Sequence, residues 1–458
     1  MKERLAAQRA AFGRNPYPSL PERREKLRAL RSALRRRQEA LCDAMSADFG
    51  GRSRTESKLA DLLGPVLAID HALRHLPRWT KPQRRSTEWL FLGNRAWVQY
   101  QPKGVVGIIA PWNFPVYLSL GPLVTALAAG NRAMLKMSEL TPRTADALRG
   151  VLAECFTEDE VAVFGGDAEA GKAFAALPFD HLVFTGSTAV GRSVMRAAAD
   201  NLVPVTLELG GKSPAIVSRS ADLREAARKI AHGKVFNCGQ VCVSPDYALV
   251  PRESEQAFAA AARDAFARLA PHGSSDYTNV ISERHAARLG DLLEDARRLG
   301  ATVTPCGEPR GGRGKPLQLV AGVTDAMRLA REEIFGPILP IRPYERFDDA
   351  IAHLASGPRP LALYYFGRDA AEARALTLGT HSGGITLNDW GWHVFQHDLP
   401  FGGIGESGMG SYHGREGFAA LSHAKAVLRE RRGFPIHLFY PPYGGLAQRL
   451  VLKWFLRS

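Results

Sequence analysis

The chain has 458 residues, of which 45% are hydrophobic and 23% charged. This balance excludes a disordered or collagen-like protein, and the length predicts two or three domains. The formal net charge is +14, but the excess of lysine and arginine lies in residues 1–40 and 431–458, and residues 41–430 are nearly neutral. A nucleic-acid-binding protein would carry its positive charge on the body of the fold, so the charge distribution argues against that class.

The cysteines and the N-terminal residues bear on the cellular compartment. Five cysteines, spread from Cys42 to Cys306, are too few and too scattered for a disulfide framework. Residues 1–16 lack the apolar core of a signal peptide. We therefore expect a reducing, cytoplasmic location.

The first hundred residues are predicted to contain helices and then a hairpin. In the segment 20–75, Leu27, Leu30 and Leu34 recur at helical spacing. The arginines of residues 23–37 are expected on the solvated face of that helix. Residues 83–103 carry short alternating patches, which are typical of a β-hairpin.

Residues 104–131 contain no charged side chain and are long enough to span a membrane as a helix. Pro111, Pro115 and Pro122 would break such a helix. A buried strand at 105–110, a turn and a buried helix are therefore favoured.

Strands and helices then alternate along the chain. Short β-rich runs are separated by alanine-rich helical segments, and a second alternating set runs from Pro214 to about Asn388. This pattern predicts parallel sheets covered by helices, arranged as two α/β domains in tandem. Ligands bind beyond the carboxyl ends of parallel strands, so the chemistry is expected in the loops 111–115, 136–141 and 186–191.

Two glycine-rich segments compete as phosphate-binding loops. Residues 186–193 resemble a P-loop except that Arg192 stands where that motif requires lysine. This segment still leads from a strand into a helix, and it is either a nucleotide-binding loop or a plain tight turn. Residues 403–408 match the letters of the dinucleotide fingerprint but lack a preceding strand, so we expect a turn there.

Three side chains are candidates for catalysis. Cys242 follows a predicted helix in a loop where a thiolate can be exposed, although a cysteine is commonly a small buried hydrophobe. Cys238 lies four residues earlier, but without a second Cys/His pair no metal is expected. Glu208 ends an apolar strand and is either a buried base or a surface partner of Lys212. Asn113 is either a turn residue or an oxyanion donor.

Seven motifs occur in one order across nearly the whole chain: APWNFP (110–115), LKMSE (135–139), FTGSTAVG (184–191), LELGGKSP (207–214), FNCGQVC (236–242), EEIFGP (332–337) and LPFGGIGESGMG (399–410). Together they resemble the aldehyde dehydrogenase superfamily. Residues 242–247 and 408–414 look like the branch that contains dimeric family-three and fatty-aldehyde enzymes. Met137, where most members carry proline, together with Asn388, Asp389 and His393, looks most like the coniferyl aldehyde dehydrogenases.

The resemblance implies NAD(P)-dependent oxidation of an aldehyde to the carboxylic acid. Cys242 would be the nucleophile and would form a thiohemiacetal and then a thioester. Asn113 would stabilise the oxyanion, and Glu208 would activate water. The substrate implied is an aromatic aldehyde such as coniferyl aldehyde. The alternatives are a fatty or medium-chain aliphatic aldehyde, or a CoA-acylating reaction, against which the retained Glu208 argues.

The resemblance also implies which residues bind the cofactor. Lys136 and Glu139 would contact the adenosine ribose, and because a carboxylate repels a 2′-phosphate we expect NAD, with NADP as the alternative. Ser187 would face the pyrophosphate, and Glu333 and Phe335 the nicotinamide riboside. The remaining residues expected at the cofactor are Trp112, Gly186, Gly191 and Leu209.

The resemblance further implies two tandem Rossmann-like domains and a homodimer. The expected limits are an NAD-binding domain at 1–82 and 104–208, bridging or oligomerisation segments at 83–103 and 389–430, a catalytic domain at 209–388, and a basic amphipathic tail at 431–458. In the tail, Arg449, Lys453 and Arg457 form one stripe of a helix. The tail either packs on the protein or its dimer partner, or makes weak contact with an anionic membrane surface.

Five aromatic residues lie near the segments that form the site. They either line a tunnel for an aromatic substrate or belong to the core, since pockets and cores share these residue types. They are Trp112, Tyr117, Trp390, Trp392 and Phe395.

Overall fold

The computed structural model describes residues 1–308 and 311–456. The N-terminal part contains α1 (Lys2–Arg14), α2 (Leu20–Arg36), α3 (Gln38–Phe49), α4 (Arg54–Ser57), a π-helix (Lys58–Leu62), α5 (Leu63–Trp79), β1 (Gln83–Arg85) and β2 (Arg95–Pro102). The next part contains β3 (Val105–Ile109), α6 (Tyr117–Ala129), β4 (Arg132–Lys136), α7 (Pro142–Ala153), β5 (Val161–Phe164), α8 (Ala168–Ala175), β6 (His181–Gly186), α9 (Thr188–Ala199) and β7 (Val205–Leu209).

The second half of the chain continues the alternation. It contains β8 (Pro214–Val217), α10 (Leu223–Val235), β9 (Tyr247–Pro251), α11 (Glu255–Leu269), α12 (Glu283–Arg298), β10 (Thr302–Pro305), β11 (Gln318–Ala321), α13 (Arg328–Arg331), β12 (Ile338–Tyr344), α14 (Phe347–Ser356), β13 (Ala362–Phe366), α15 (Ala370–Gly379) and β14 (Gly384–Leu387). The C-terminal part contains β15 (Gly408–Met409), α16 (Gly414–Ala420), β16 (Ser422–Arg429) and α17 (Leu446–Leu456).

Two large sheets carry the fold. The first has the strand order β15-β7-β6-β3-β4-β5 and is parallel except for β15. The second has the order β10-β11-β12-β9-β8-β13-β14 and is parallel except for β10. The inner strands are short runs of buried residues, which is typical of parallel sheets that are covered on both faces. The predicted pair of Rossmann-like α/β units is thus confirmed.

A third, small sheet is antiparallel and has the order β1-β2-β16. The β1–β2 pair is the hairpin expected in residues 83–103, and β16 pairs with β2 over eight residues. Of the segment 389–430, β16 joins this small sheet, whereas β15 joins the first large sheet and α16 packs on α6. The domain limits stated above stay a prediction.

The charge-free stretch is buried inside the first unit. It forms β3 and α6, and every residue of α6 is buried. Among the helices of residues 1–308 and 311–456, none is both long enough and apolar enough to cross a membrane. The strand, turn and helix expected there are confirmed.

One arginine of the predicted solvated helix face is instead buried. Arg23 in α2 is 2% exposed. Its guanidinium donates to the carbonyl oxygens of Ala128 and Ala129 at 3.2 and 2.9 Å, at the C-terminal end of α6. The expectation was wrong for this residue because a cation can satisfy the free carbonyls at a helix end.

The tail forms a helix that touches its own chain. The Phe455 ring of α17 stacks on Trp89 with the ring centroids 5.2 Å apart, while Trp454 is 79% exposed. Gln448 donates to the carbonyl oxygens of Leu438 and Tyr440. Arg457, the third residue of the predicted basic stripe, lies outside the described residues.

Candidate active site

Cys242 lies in a loop that leaves α10 through a strained turn. Residues 237–239 have φ angles of 47°, 54° and 70°, in the left-handed region that non-glycine residues seldom adopt. A Cβ at Gly239 would lie 2.5 Å from the carbonyl oxygen of Gly336, so glycine is required there. The backbone N–H of Asn237 donates to Glu56 at 2.8 Å. Buried polar contacts therefore stabilise this strained backbone conformation beside the candidate nucleophile.

The two cysteines of this segment differ in their surroundings. Cys238 is fully buried, and its thiol donates to the Tyr277 hydroxyl at 3.4 Å. Cys242 is half-buried and borders two cavities. Of the two, Cys242 is therefore the one that a substrate can reach.

Glu208 lies in β7 at the edge of the same site. It is 1% exposed, and neither carboxylate oxygen has a hydrogen-bond partner among the described residues. Burial raises the pKa of Glu208 to about 8, although the Cys242 and Thr185 side chains nearby lower it in part. A carboxyl group that titrates near neutral pH suits a general base.

The alternative in which Glu208 pairs with Lys212 at the surface is wrong. The Lys212 ammonium group instead pairs with Asp246 and donates to the carbonyl oxygens of Leu329 and Glu332 at 2.8 and 3.0 Å. Lys212 therefore does not form an ion pair with the carboxyl group of Glu208.

The surroundings of Cys242 favour the neutral thiol over the thiolate. Burial raises the pKa of Cys242 well above its ordinary value, and the carboxyl groups of Glu208 and Glu333 raise it further. A neighbouring base must accept the proton before sulfur can attack a carbonyl group. Glu208 is in position to accept it.

Asn113 lies in the loop between β3 and α6 and is 3% exposed. Its side-chain amide donates to the carbonyl oxygen of Gln240 at 3.2 Å, which ties this loop to the Cys242 loop. An amide nitrogen has two N–H groups, so a second donor remains for a ligand. Asn113 and Cys242 line one cavity, and the arrangement fits an oxyanion donor beside a nucleophile.

The larger cavity at Cys242 has a volume of about 570 Å³. We call it the strand-end cavity because it opens beyond the carboxyl ends of β3, β6 and β7. Ser187 caps α9, which begins at this wall, so free backbone N–H groups and the positive end of the helix dipole face the cavity. The predicted cofactor residues that line it are Trp112, Gly186, Ser187, Glu333 and Phe335.

Glu333 and Phe335 are held in place by a second strained loop. Phe335 has a φ of 53°, and its ring packs edge-on against Trp112 at 5.3 Å. The carboxylate of Glu333 rests against Gly210, where a Cβ would lie 2.1 Å from a carboxylate oxygen. Asp246 accepts from the backbone N–H of Ile334 at 2.9 Å, so it fixes this loop.

Four other predicted cofactor residues do not line the strand-end cavity. Lys136 is buried, and its ammonium group donates to the carbonyl oxygens of Met137 and Gly166 at 2.8 and 2.7 Å. Burial lowers the pKa of Lys136, and the exposed Glu139 nearby opposes this shift in part. Gly191 and Leu209 pack on each other behind the wall, since a Cβ at Gly191 would lie 2.6 Å from the Leu209 side chain.

The second cavity at Cys242 has a volume of about 280 Å³ and is lined almost wholly by apolar side chains. We call it the apolar cavity. Four of the five predicted tunnel residues line it, namely Tyr117, Trp390, Trp392 and Phe395. Trp112 does not, because it lies on the strand-end side. Four of the five residues therefore line one cavity, as the tunnel interpretation requires, and Trp112 does not. That the cavity accepts an aromatic substrate stays a prediction.

One wall of the apolar cavity was missed in the sequence. Leu59, Leu63 and Leu67 line it from the π-helix and α5, and each is at least 40% exposed. Their spacing of four residues was the signal, since such a stripe shares one helical face. All three line the cavity, and their exposure separates them from the buried core residues of α5.

Comparisons with known proteins agree with this geometry. The model of the aldehyde dehydrogenase family matches residues 1–427. A probable coniferyl aldehyde dehydrogenase of Pseudomonas aeruginosa is 50% identical over 455 residues, which cover 99% of this chain and 96% of that protein. A coniferyl aldehyde dehydrogenase of Pseudomonas sp. strain HR199 is 50% identical over 85% of this chain and 82% of that protein.

Solved structures show the same fold. The substrate-bound state of Staphylococcus aureus AldH has a TM-score of 0.94 at 33% identity and covers 99% of both chains. An aldehyde dehydrogenase of Mycobacterium tuberculosis, complexed with NAD+, has a TM-score of 0.84 at 32% identity and covers 92% of this chain and 88% of that one.

The chain therefore belongs to the aldehyde dehydrogenase family, a class of oxidoreductases that oxidise aldehydes. Within that family it is similar over nearly its whole length to proteins named as coniferyl aldehyde dehydrogenases. The resemblance found in the sequence motifs is confirmed.

Proposed function

We propose that this enzyme oxidises an aromatic aldehyde such as coniferyl aldehyde to the carboxylic acid, with NAD as the oxidant and Cys242 as the nucleophile. One observation carries the proposal: Cys242 borders both the strand-end cavity and the apolar cavity. An aldehyde in the apolar cavity would thus present its carbonyl group to sulfur from the side opposite the cofactor. The names of the relatives support the substrate class.

The first chemical step forms a carbon–sulfur bond. Glu208 accepts the thiol proton while the sulfur of Cys242 adds to the carbonyl carbon, which gives a thiohemiacetal oxyanion. The free N–H of the Asn113 amide and the backbone N–H of Cys242 stabilise the charge on oxygen. Each such donor contributes about 10²–10³ in rate.

The second step releases the acid. When bound, the nicotinamide supplies the hydride acceptor that converts the thiohemiacetal to a thioester. After its first proton has left to solvent, Glu208 removes a proton from water, and the hydroxyl adds to the thioester carbon. The carbon–sulfur bond breaks, the carboxylate leaves and Cys242 regains a proton.

The residues of the strand-end cavity fit a dinucleotide. Ser187 and the first amides of α9 form an anion site for a pyrophosphate, and Glu333, which lies against the bare Cα of Gly210, is placed to accept from ribose hydroxyls. Glu139 lies near Lys136 as an exposed carboxylate, which accepts from ribose hydroxyls and repels a 2′-phosphate. NAD is therefore the proposed cofactor, and a higher kcat/KM with NADP would contradict this role of Glu139.

A polar contact in the apolar cavity supports an aromatic substrate that carries ring oxygens. The Trp390 indole donates to Nδ1 of His232 at 3.0 Å, so the neutral ring carries its proton on Nε2. His232 lines the cavity with Phe236 and Phe114. The flat rings suit a flat substrate, and Nε2–H is a donor for a ring hydroxyl or methoxy oxygen.

A second candidate is a medium-chain or fatty aldehyde. The exposed Leu59, Leu63 and Leu67 wall favours it, because an alkyl chain can extend along such a stripe. A protein named 4,4'-diaponeurosporen-aldehyde dehydrogenase is also 34% identical over 97% of this chain.

NADH formation with coniferaldehyde, cinnamaldehyde and decanal tests the proposal. We expect the highest kcat/KM for coniferaldehyde, acid formation without CoA, and loss of turnover in Cys242→Ala but not in the matched Cys155→Ala. Preference for decanal would move the protein to the aliphatic candidate. A requirement for CoA would show an acylating enzyme, and turnover by Cys242→Ala would remove the nucleophile.

A homodimer in the cytoplasm is proposed as well. Strand β16 lies at the edge of the small sheet, so its outer edge is available for pairing with a second copy. A monomer mass measured by light scattering would contradict the dimer.

The exposed apolar face of α17 is the proposed site of weak membrane contact. Equal vesicle binding by the chain with and without residues 434–458 would contradict that contact.

A further inference from the structure

A fully buried ion pair lies next to the candidate active site. Arg52 follows α3 and Asp61 lies in the π-helix, and both side chains are 0% exposed with a guanidinium nitrogen 2.8 Å from a carboxylate oxygen. Taking two charges out of water is expensive, so such a pair contributes little net stability. Its role must therefore be sought in the groups that it contacts.

Arg52 holds the backbone of the oxyanion loop. Its second guanidinium nitrogen donates to the peptide oxygen of Asn113 at 3.1 Å. The guanidinium also lies 4.6 Å from the centre of the Phe49 ring and 5.2 Å from that of Phe114. These contacts and Asp61 fix the plane of the guanidinium, so the peptide oxygen of Asn113 has a defined position.

Asp61 holds the same loop from its other end. One carboxylate oxygen accepts from the backbone N–H groups of Val116 and Tyr117, both at 3.0 Å. These are the first N–H groups of α6, whose own N-cap residue supplies no side-chain bond. Asp61 thus caps α6 from outside the helix while it binds Arg52.

The contacts continue to the loop that carries Cys242. The Asn237 side chain donates to the peptide oxygens of both Asn113 and Gln240, at 3.0 and 3.1 Å. The Asn113 side chain donates to the same oxygen of Gln240 at 3.2 Å. Arg52 and Asn237 therefore donate to the same peptide oxygen, that of Asn113. Through this oxygen the ion pair is connected to the residues just before Cys242.

We propose that Arg52 and Asp61 are positioning residues that hold the Asn113 amide where it can donate to the carbonyl oxygen of a substrate attached to Cys242. The inference rests on the proposed function, in which Asn113 is the oxyanion donor. A small displacement of that donor costs rate and leaves binding of the aldehyde and of NAD in place.

Arg52→Lys is the variant that tests this role. Lysine keeps the positive charge beside Asp61 but has a single side-chain nitrogen. It therefore lacks the planar guanidinium group, which binds Asp61 and the peptide oxygen of Asn113 through two different nitrogens. We expect kcat to fall about 10- to 100-fold while both KM values change less than about threefold. The matched control is Arg31→Lys, which alters an ion pair of similar length, 2.9 Å, whose side chains are each about one-third exposed. The control is expected to leave kcat unchanged.

The double variant Arg52→Lys/Asn113→Ala distinguishes a positioning role of Arg52 from a general loss of structure. If Arg52 acts through Asn113, the double variant loses little more kcat than Asn113→Ala alone. Losses that multiply, or an unchanged kcat in folded Arg52→Lys, would overturn the inference. If Arg52→Lys does not fold, Asp61→Asn replaces it, since asparagine keeps the shape and one acceptor oxygen. Full activity of Asn113→Ala would instead contradict the proposed function.

Discussion

The two cavities that meet at Cys242 are built in different ways. The strand-end cavity is formed by residues at fixed positions of the fold, such as Gly186 and Ser187 between β6 and α9. The apolar cavity is formed by side chains from segments far apart in sequence, from Leu59 to Phe401. Backbone positions at strand ends serve every substrate alike, whereas the side chains of the apolar wall can select among aldehydes.

Changes on the strand-end side should therefore affect every aldehyde equally, and Glu208→Gln should have the largest effect. The variant cannot accept a proton from the thiol or from water. We expect kcat to fall about 10²–10⁴-fold for coniferaldehyde and for decanal. Steady-state NADH formation measures it, and Glu169→Gln, at an exposed carboxylate of α8, is the control. A loss of kcat for only one of the two aldehydes would contradict the division of roles between the two cavities.

Asn113→Ala should come next in size. Loss of one oxyanion donor is expected to lower kcat about 10²–10³-fold with little change in KM, again for every aldehyde. The control is Asn201→Ala, at an exposed site after α9. A raised KM with an unchanged kcat would show that Asn113 binds substrate in its ground state.

The pH dependence of kcat/KM is a further test of the strand-end side. Since burial raises the pKa of Glu208 to about 8, most of this carboxyl group is protonated at neutral pH and cannot accept a proton. We expect kcat/KM to rise about tenfold per pH unit below pH 8 and to level off above it. Initial rates between pH 5 and 10 measure this, and a rate that is already constant between pH 5 and 7 would contradict a buried base.

A change in the apolar cavity should have the smallest and most selective effect. His232→Phe removes the proposed donor to the ring oxygens. We expect kcat/KM to fall about fivefold for coniferaldehyde and to stay unchanged for cinnamaldehyde, which lacks those oxygens. Competition between the two aldehydes gives the ratio directly. Equal losses for both would show that His232 only shapes the wall.

Sequence reasoning predicted the strand-end side better than the apolar side. Asn113 follows β3, Glu208 lies at the carboxyl end of β7 and Cys242 follows α10. Such ends meet in an α/β fold, so the convergence of these residues could be expected from the motifs. The spacing of Leu59, Leu63 and Leu67 indicates a shared helical face, but the sequence alone does not show that this face borders the site, because that depends on how the helix packs. The partners Arg52 and Asp61 could not be predicted either, since buried opposite charges leave no periodic pattern and look like surface residues.

The central claim is that the acyl group of the substrate passes through Cys242 at the junction of the two cavities. The wild-type enzyme, mixed with NAD and coniferaldehyde and quenched in acid within the first turnover, tests it most directly, because acid stops the hydrolysis and preserves the thioester. Intact-mass and peptide mass spectrometry should find one adduct on Cys242, equal to the aldehyde less two hydrogen atoms. NADH formation with an unmodified Cys242, or with the adduct on another cysteine, would contradict the claim.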